Sequence, residues 1–88
     1  MSRLLLVEDD DGVATLLALA LTSLGHQVET AADGHAGLAA VAASQPFDVM
    51  LLDVMMPGID GFETARRVRA TSLLPIICLL YTSPSPRD

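Results

Sequence analysis

Carboxylates stand at the ends of two apolar runs in this chain. Leu4-Leu5-Leu6-Val7 leads straight into Glu8-Asp9-Asp10-Asp11, and Val49-Met50-Leu51-Leu52 stops at Asp53, ahead of a Pro57-Gly58 loop. A short continuous apolar run reads as a strand buried on both faces. Both acidic groups then sit at strand carboxyl ends, where open α/β sheets bind ligands at the point of reversed winding. If the two strands are neighbours, Asp9 and Asp53 share a small pocket with Glu8 beside them. Three carboxylates so close repel one another unless a cation intervenes. An all-oxygen donor set with room for water and phosphate suits Mg²⁺. A carboxylate is also a competent nucleophile toward a phosphoryl group, and such transfer needs little beyond in-line placement and neutralised charge.

Each of these residues also has a plainer use. Glu8 to Asp11 can complement the dipole of a following helix, worth ~0.3–1 kcal/mol per charge, and Asp53 can be a turn-former. Arg66, Arg67 and Arg69 read as a solvated helix face, with docking of a partner as the alternative. His26 and His35 read as surface residues, Met50, Met55 and Met56 as packing and loop residues, and Cys78 as incidental.

The elements that must hold these groups alternate along the chain. After the first strand, Val13, Leu16, Leu17, Ala20, Leu21 and Leu24 recur with the spacing of an apolar helical stripe. Asp10 or Asp11 can cap that helix at its start, and Gly25 can close it in a left-handed conformation. Val28 and Thr30 carry a short strand, and a second helix runs from about His35 to Ala43 with Leu38, Val41 and Ala42 inward, ended by Pro46. The third strand leads through the Pro57-Gly58 and Asp60-Gly61 turns to a third helix from Phe62 to about Ala70, with Glu63 and Arg67 one turn apart on its wet side. Pro75-Ile76-Ile77 opens a fourth strand. This β-α-β-α-β-α-β alternation predicts an α/β fold, a doubly wound parallel sheet with right-handed crossovers.

Composition narrows the functional classes. Eighty-eight residues, 51% apolar and only 18% charged, make one small domain and exclude a disordered acidic tail. Eleven acidic residues against five basic ones leave a net charge of −6, which argues against nucleic-acid binding by this segment. All five basic residues are arginines, and there is no lysine. The single cysteine excludes an internal disulfide and fits a reducing compartment. No apolar run approaches the ~18 residues of a membrane span, and the expectation is a cytoplasmic chain.

Three segments, Leu4-Leu5-Leu6-Val7-Glu8-Asp9-Asp10, Ala32-Asp33-Gly34 and the run from Phe47 to Glu63, resemble the receiver domain of two-component response regulators. The resemblance covers residues 3 to about 77. It implies a flavodoxin-like receiver fold with sheet order 2-1-3-4-5. It further implies that Asp53 is the phosphoacceptor, taking a phosphoryl group from a sensor histidine kinase or phosphotransfer protein. Asp9 would bind Mg²⁺ directly and Glu8 directly or through water, with Asp53 and the main-chain carbonyl of Met55 completing the protein's ligands. Asp10 would lie beside the pocket. The implied role is a phosphorylatable signalling domain rather than an enzyme, often joined to an output domain. Two other readings stay open: a non-phosphorylated receiver-like interaction module, and an aspartate-nucleophile phosphatase. The phosphatase looks for a second acid two residues past the nucleophile, where this chain has Met55.

The chain also departs from the family. The family ends strand four in a Ser or Thr; counting from Pro75, that position is Leu80, with Thr82 and Ser83 a few residues on. The family's strand-five lysine has no counterpart in a chain without lysine. Residues 78–88, Cys78-Leu79-Leu80-Tyr81-Thr82-Ser83-Pro84-Ser85-Pro86-Arg87-Asp88, resemble an in-frame translation of a transposon-end adapter used in sequencing libraries. The expectation is therefore a partial receiver domain over residues 1–77, truncated after strand four, followed by a non-native tail.

Overall fold

A computed structural model describes residues 2–43, 46–53 and 61–79. Seven elements follow one another: β1 (Arg3–Val7), α1 (Asp11–Ser23), β2 (Gln27–Ala31), α2 (Gly34–Ala43), β3 (Val49–Asp53), α3 (Gly61–Thr71) and β4 (Ile76–Leu79). The four strands form one parallel sheet in the order β2-β1-β3-β4. That is the alternation and order expected. The extent of β4 goes further than Pro75-Ile76-Ile77, because Cys78 and Leu79 pair with Leu52 and Asp53.

The side chains of β1 alternate between two layers. Leu5 and Val7 join Met50, Leu52, Phe47, Val68 and Leu74 in a core under α2 and α3. Leu4 and Leu6 are also buried, and alternation turns them to the side on which α1 lies. At the amino end of the sheet, the Arg3 amide donates to Asp48 Oδ2 at 2.7 Å while the Asp48 amide donates to the Arg3 carbonyl at 2.7 Å. The Arg3 guanidinium lies over the Phe47 ring, 4.7 Å from its centre, a cation–π contact.

Two packing expectations need correction. In α1 the half-buried stripe is Val13, Ala14, Leu17, Ala18 and Leu21, whereas Leu16 and Leu24 are 69% and 73% exposed and Ala20 also faces solvent. The helix is apolar nearly all round, so its spacing marks no single inward face, and seating on β2 chooses one. In α2, Leu38 and Val41 do pack on the core, joined by Ala40, but Ala42 is exposed. The deepest α2 positions are Gly34 and Gly37. A Cβ on Gly37 would stand 2.8 Å from Val7 Cγ2, so glycine is what lets α2 lie close against β1.

Other predicted features are present, whereas the Pro57-Gly58 turn and Asp60 of the Asp60-Gly61 turn lie outside the described residues. Asp10 is the α1 N-cap, its side chain accepting from the Val13 amide, and Gly25 after the helix has φ +96. In α3, Glu63 accepts from Arg66 and Arg67 on the exposed face. Those two side-chain hydrogen bonds, Arg66's first, hold the Glu63 carboxyl below its ordinary range. Stability from this trio is thus present at neutral pH and lost as the pH falls through that lowered value. An exposed cluster of this kind adds little to the fold. His35 is exposed as expected, whereas His26 is half-buried.

The Gly37 contact is directly testable. Gly37→Ala is expected to lose about 1 kcal/mol of stability, the overpacking cost less the helix-propensity gain of alanine. In a Val7→Ala background the loss should shrink. Urea unfolding of the four chains measures this, and equal losses in both backgrounds would show that Val7 is not the obstacle.

Candidate metal and phosphoacceptor site

The acidic site is built by strand register. Val7 pairs with Leu52 across the β1–β3 ladder, so the next residues along, Glu8 and Asp53, come side by side at the carboxyl edge of the sheet. The β1–β2 ladder continues one step beyond β1 as well, with the Glu8 amide donating to the Ala31 carbonyl at 3.0 Å. Glu8 is therefore held in line by its main chain on one side and by register on the other.

Burial sets Glu8 and Asp53 apart from the other carboxylates among the described residues. Glu8 is 1% and Asp53 3% exposed, and Asp9 is half-buried. One carboxylate oxygen from each of Glu8, Asp9 and Asp53 lies within 4.8 Å of the others. Asp9 Oδ1 is buried and has no hydrogen-bond partner among the described residues. A buried anionic oxygen without a donor is costly, and a hard cation is the partner that oxygen donors of this kind accept. The donor set therefore fits a divalent metal on chemical grounds.

Of the predicted site residues, the structure brings Glu8, Asp9 and Asp53 together. Met55, expected to offer its main-chain carbonyl, and Leu80, at the hydroxyl position of the family, lie outside the described residues. Asp10 does border the pocket, but with a link that sequence reading missed. Its amide donates to Glu8 Oε1 at 3.1 Å, while its side chain and carbonyl accept from Val13 and Ala14 in the first turn of α1. A main-chain donor leaves no mark in a sequence, so residue types alone could not have shown it. Cys78 is an exposed free thiol.

Comparison with known proteins agrees with this geometry. The family model described as the response regulator receiver domain matches residues 4–85. The transcriptional regulatory protein AfsQ1 of Streptomyces coelicolor is 56% identical over 79 residues, which is 90% of this chain and 35% of that protein. The chain spans about a third of the length of the curated relatives it matches. Among solved structures, the response regulator protein TrrA of Thermotoga maritima, in complex with Mg²⁺-BeF, superposes with a TM-score of 0.75 at 34% identity. That match covers 80% of this chain and 60% of the other. A structure of histidine kinase ThkA in complex with TrrA gives a TM-score of 0.84 at 34% identity, covering 100% of this chain and 76% of the matched one. With its parallel sheet in the order β2-β1-β3-β4 and its acidic cluster at the β1 and β3 ends, this chain belongs to the response regulator receiver domain family.

Proposed function

We propose that the chain is the phosphoacceptor receiver of a two-component response regulator, with Asp53 as the residue that takes the phosphoryl group. The observation that carries the reading is the convergence of Glu8, Asp9 and Asp53 at the edge of two adjacent parallel strands. In the proposed step a carboxylate oxygen of Asp53 attacks the phosphorus of a phosphohistidine. The P–N bond breaks, the histidine nitrogen keeps the bonding pair, and an acyl phosphate forms on Asp53. Burial strips water from Asp53 and keeps it in one orientation, which favours in-line attack. Glu8 and Asp9, with Asp53, would hold Mg²⁺. Bound there, the ion would neutralise charge on the carboxylates and the transferring group. Water then returns the domain to its resting state by hydrolysing the acyl phosphate.

The donor would be a sensor histidine kinase or a phosphotransfer protein, a reading supported by the similarity to TrrA, whose structure with a histidine kinase is known. The relative's name, a transcriptional regulatory protein, supports a role in which this domain governs an output domain of a longer protein. Among the described residues no helix is long and apolar enough to cross a membrane; the cytoplasmic location we propose rests on membership of the receiver family. The proposal treats residues 1–77 as receiver sequence and 78–88 as foreign. Resequencing the source DNA across the Ile77 and Cys78 codons should show a frame that continues to a Ser or Thr and later a lysine. An unchanged frame ending at Asp88 would overturn that division.

Two measurements test the site. Mg²⁺ or Mn²⁺ at millimolar levels should raise the melting temperature of the chain, and Asp9→Asn should abolish most of that shift; an unchanged shift would remove Asp9 from the ligand set. Acetyl phosphate should label the chain in a Mg²⁺-dependent manner, with the label lost in Asp53→Asn. Absence of label on a chain that binds the cation would favour a non-phosphorylated interaction module. Turnover of a phosphate ester would favour the phosphatase.

A further inference from the structure

Asp10 is exposed and supplies no oxygen to the acidic cluster, yet three of its groups are committed at once. Its side-chain Oδ1 accepts from the Val13 amide at 3.1 Å, its carbonyl accepts from the Ala14 amide at 2.9 Å, and its own amide donates to Glu8 Oε1 at 3.1 Å. The first two bonds belong to α1 and fix the extended backbone of residue 10, with φ −88 and ψ 113. The third is aimed by that backbone at a carboxylate buried to 1% exposure. Space beside the cap is tight: a Cβ on Gly12 would stand 3.3 Å from Asp10 Oδ1.

The chain of restraint therefore runs from α1 through the cap to Glu8. Buried at the end of β1, Glu8 has its main chain fixed by the sheet, and the set of its carboxylate plane is decided by what its oxygens accept from. A donor held at one oxygen limits its rotation. Groups that orient a ligand in this way commonly change metal affinity about 10- to 100-fold when removed.

We propose that Asp10 is a positioning residue of the cation site, acting through its helix cap and its main-chain amide on Glu8 rather than through its charge. The inference rests on the cation-site reading above. Charge and capping make opposite predictions for three substitutions and agree on a fourth, Asp10→Ala. Asp10→Asn and Asp10→Ser keep a side-chain acceptor for the Val13 amide and remove the charge. Asp10→Glu keeps the charge with a longer arm that caps poorly, and Asp10→Ala loses both.

Mn²⁺ affinity, read by isothermal titration calorimetry and by the loss of the free-ion electron paramagnetic resonance signal, separates the two. Asn and Ser variants should bind within about 2-fold of the parent, whereas Ala and Glu variants should bind about 10-fold more weakly. In a Glu8→Ala background, Asp10→Ala should cause little further loss, because the amide no longer has a side-chain oxygen to orient. Weak binding by Asn, Ser and Ala with full binding by Glu would overturn the proposal in favour of electrostatics. So would equal losses from Asp10→Ala with Glu8 and with Ala at that position. Melting of each variant in chelator distinguishes an unfolded chain from a folded one with a weakened site. The Asn and Ser variants, which retain the cap, decide the matter if Asp10→Ala does not fold. A parent chain that binds no Mn²⁺ while melting cooperatively would instead overturn the cation-site reading itself, and the role of Asp10 with it.

Discussion

Everything at the site depends on the register of β1 against β3. The two strands are neighbours although a helix, a strand and a second helix separate them in sequence, and the pairing sets Val7 opposite Leu52. Glu8 and Asp53 meet only because each follows its partner by one residue. A slip of one position would send Asp53 past Glu8 and turn each β3 side chain to the opposite layer. At the other end of the same strands, the reciprocal Arg3–Asp48 bonds pin the ladder. The pin has a polar job in a polar place, and the payoff of its geometry appears at the far edge of the sheet.

Burying acids is ordinarily unfavourable, and here they sit beside one of the driest parts of the molecule. Leu5, Leu6, Val7, Met50 and Leu52 are all 0% exposed. That apolar packing makes the strand ends rigid, which is what a constellation of ligands requires. The net charge of −6 works the other way, since self-repulsion opposes the compact state. A fold that tolerates such a cluster holds like charges together at the edge where the proposed cation would bind.

The strands were legible because uninterrupted apolar runs can hardly be read otherwise, and the acids at their ends were conspicuous for the same reason. The order of strands came with the family resemblance, since neither spacing nor periodicity says that β1 lies between β2 and β3. Helix faces were less legible. In α1 nearly every position is apolar, so Leu16 and Leu24 looked as inward as Leu17. In α2 the closest approach belongs to Gly37, a residue without a side chain to enter any hydrophobic pattern. The acidic run could be read as a cap, a ligand set or both, but periodicity did not choose between Asp10 and Asp11 for the cap. Asp10 took it, and the bond from its amide to Glu8 is a property of backbone conformation.

The shallow seat of α1 has its own consequence. No residue of that helix is fully buried, while α2 and α3 each set two or more residues in the core side of the sheet. Such a helix opens at a lower free energy than the strands beneath it, as a separate cooperative unit with weakly protected amides. Its first turn nevertheless ends on a group bonded to Glu8. Opening of α1 and disorder at the carboxylate edge are then parts of a single fluctuation, and a ligand that steadies the edge will slow hydrogen exchange along a helix it never touches.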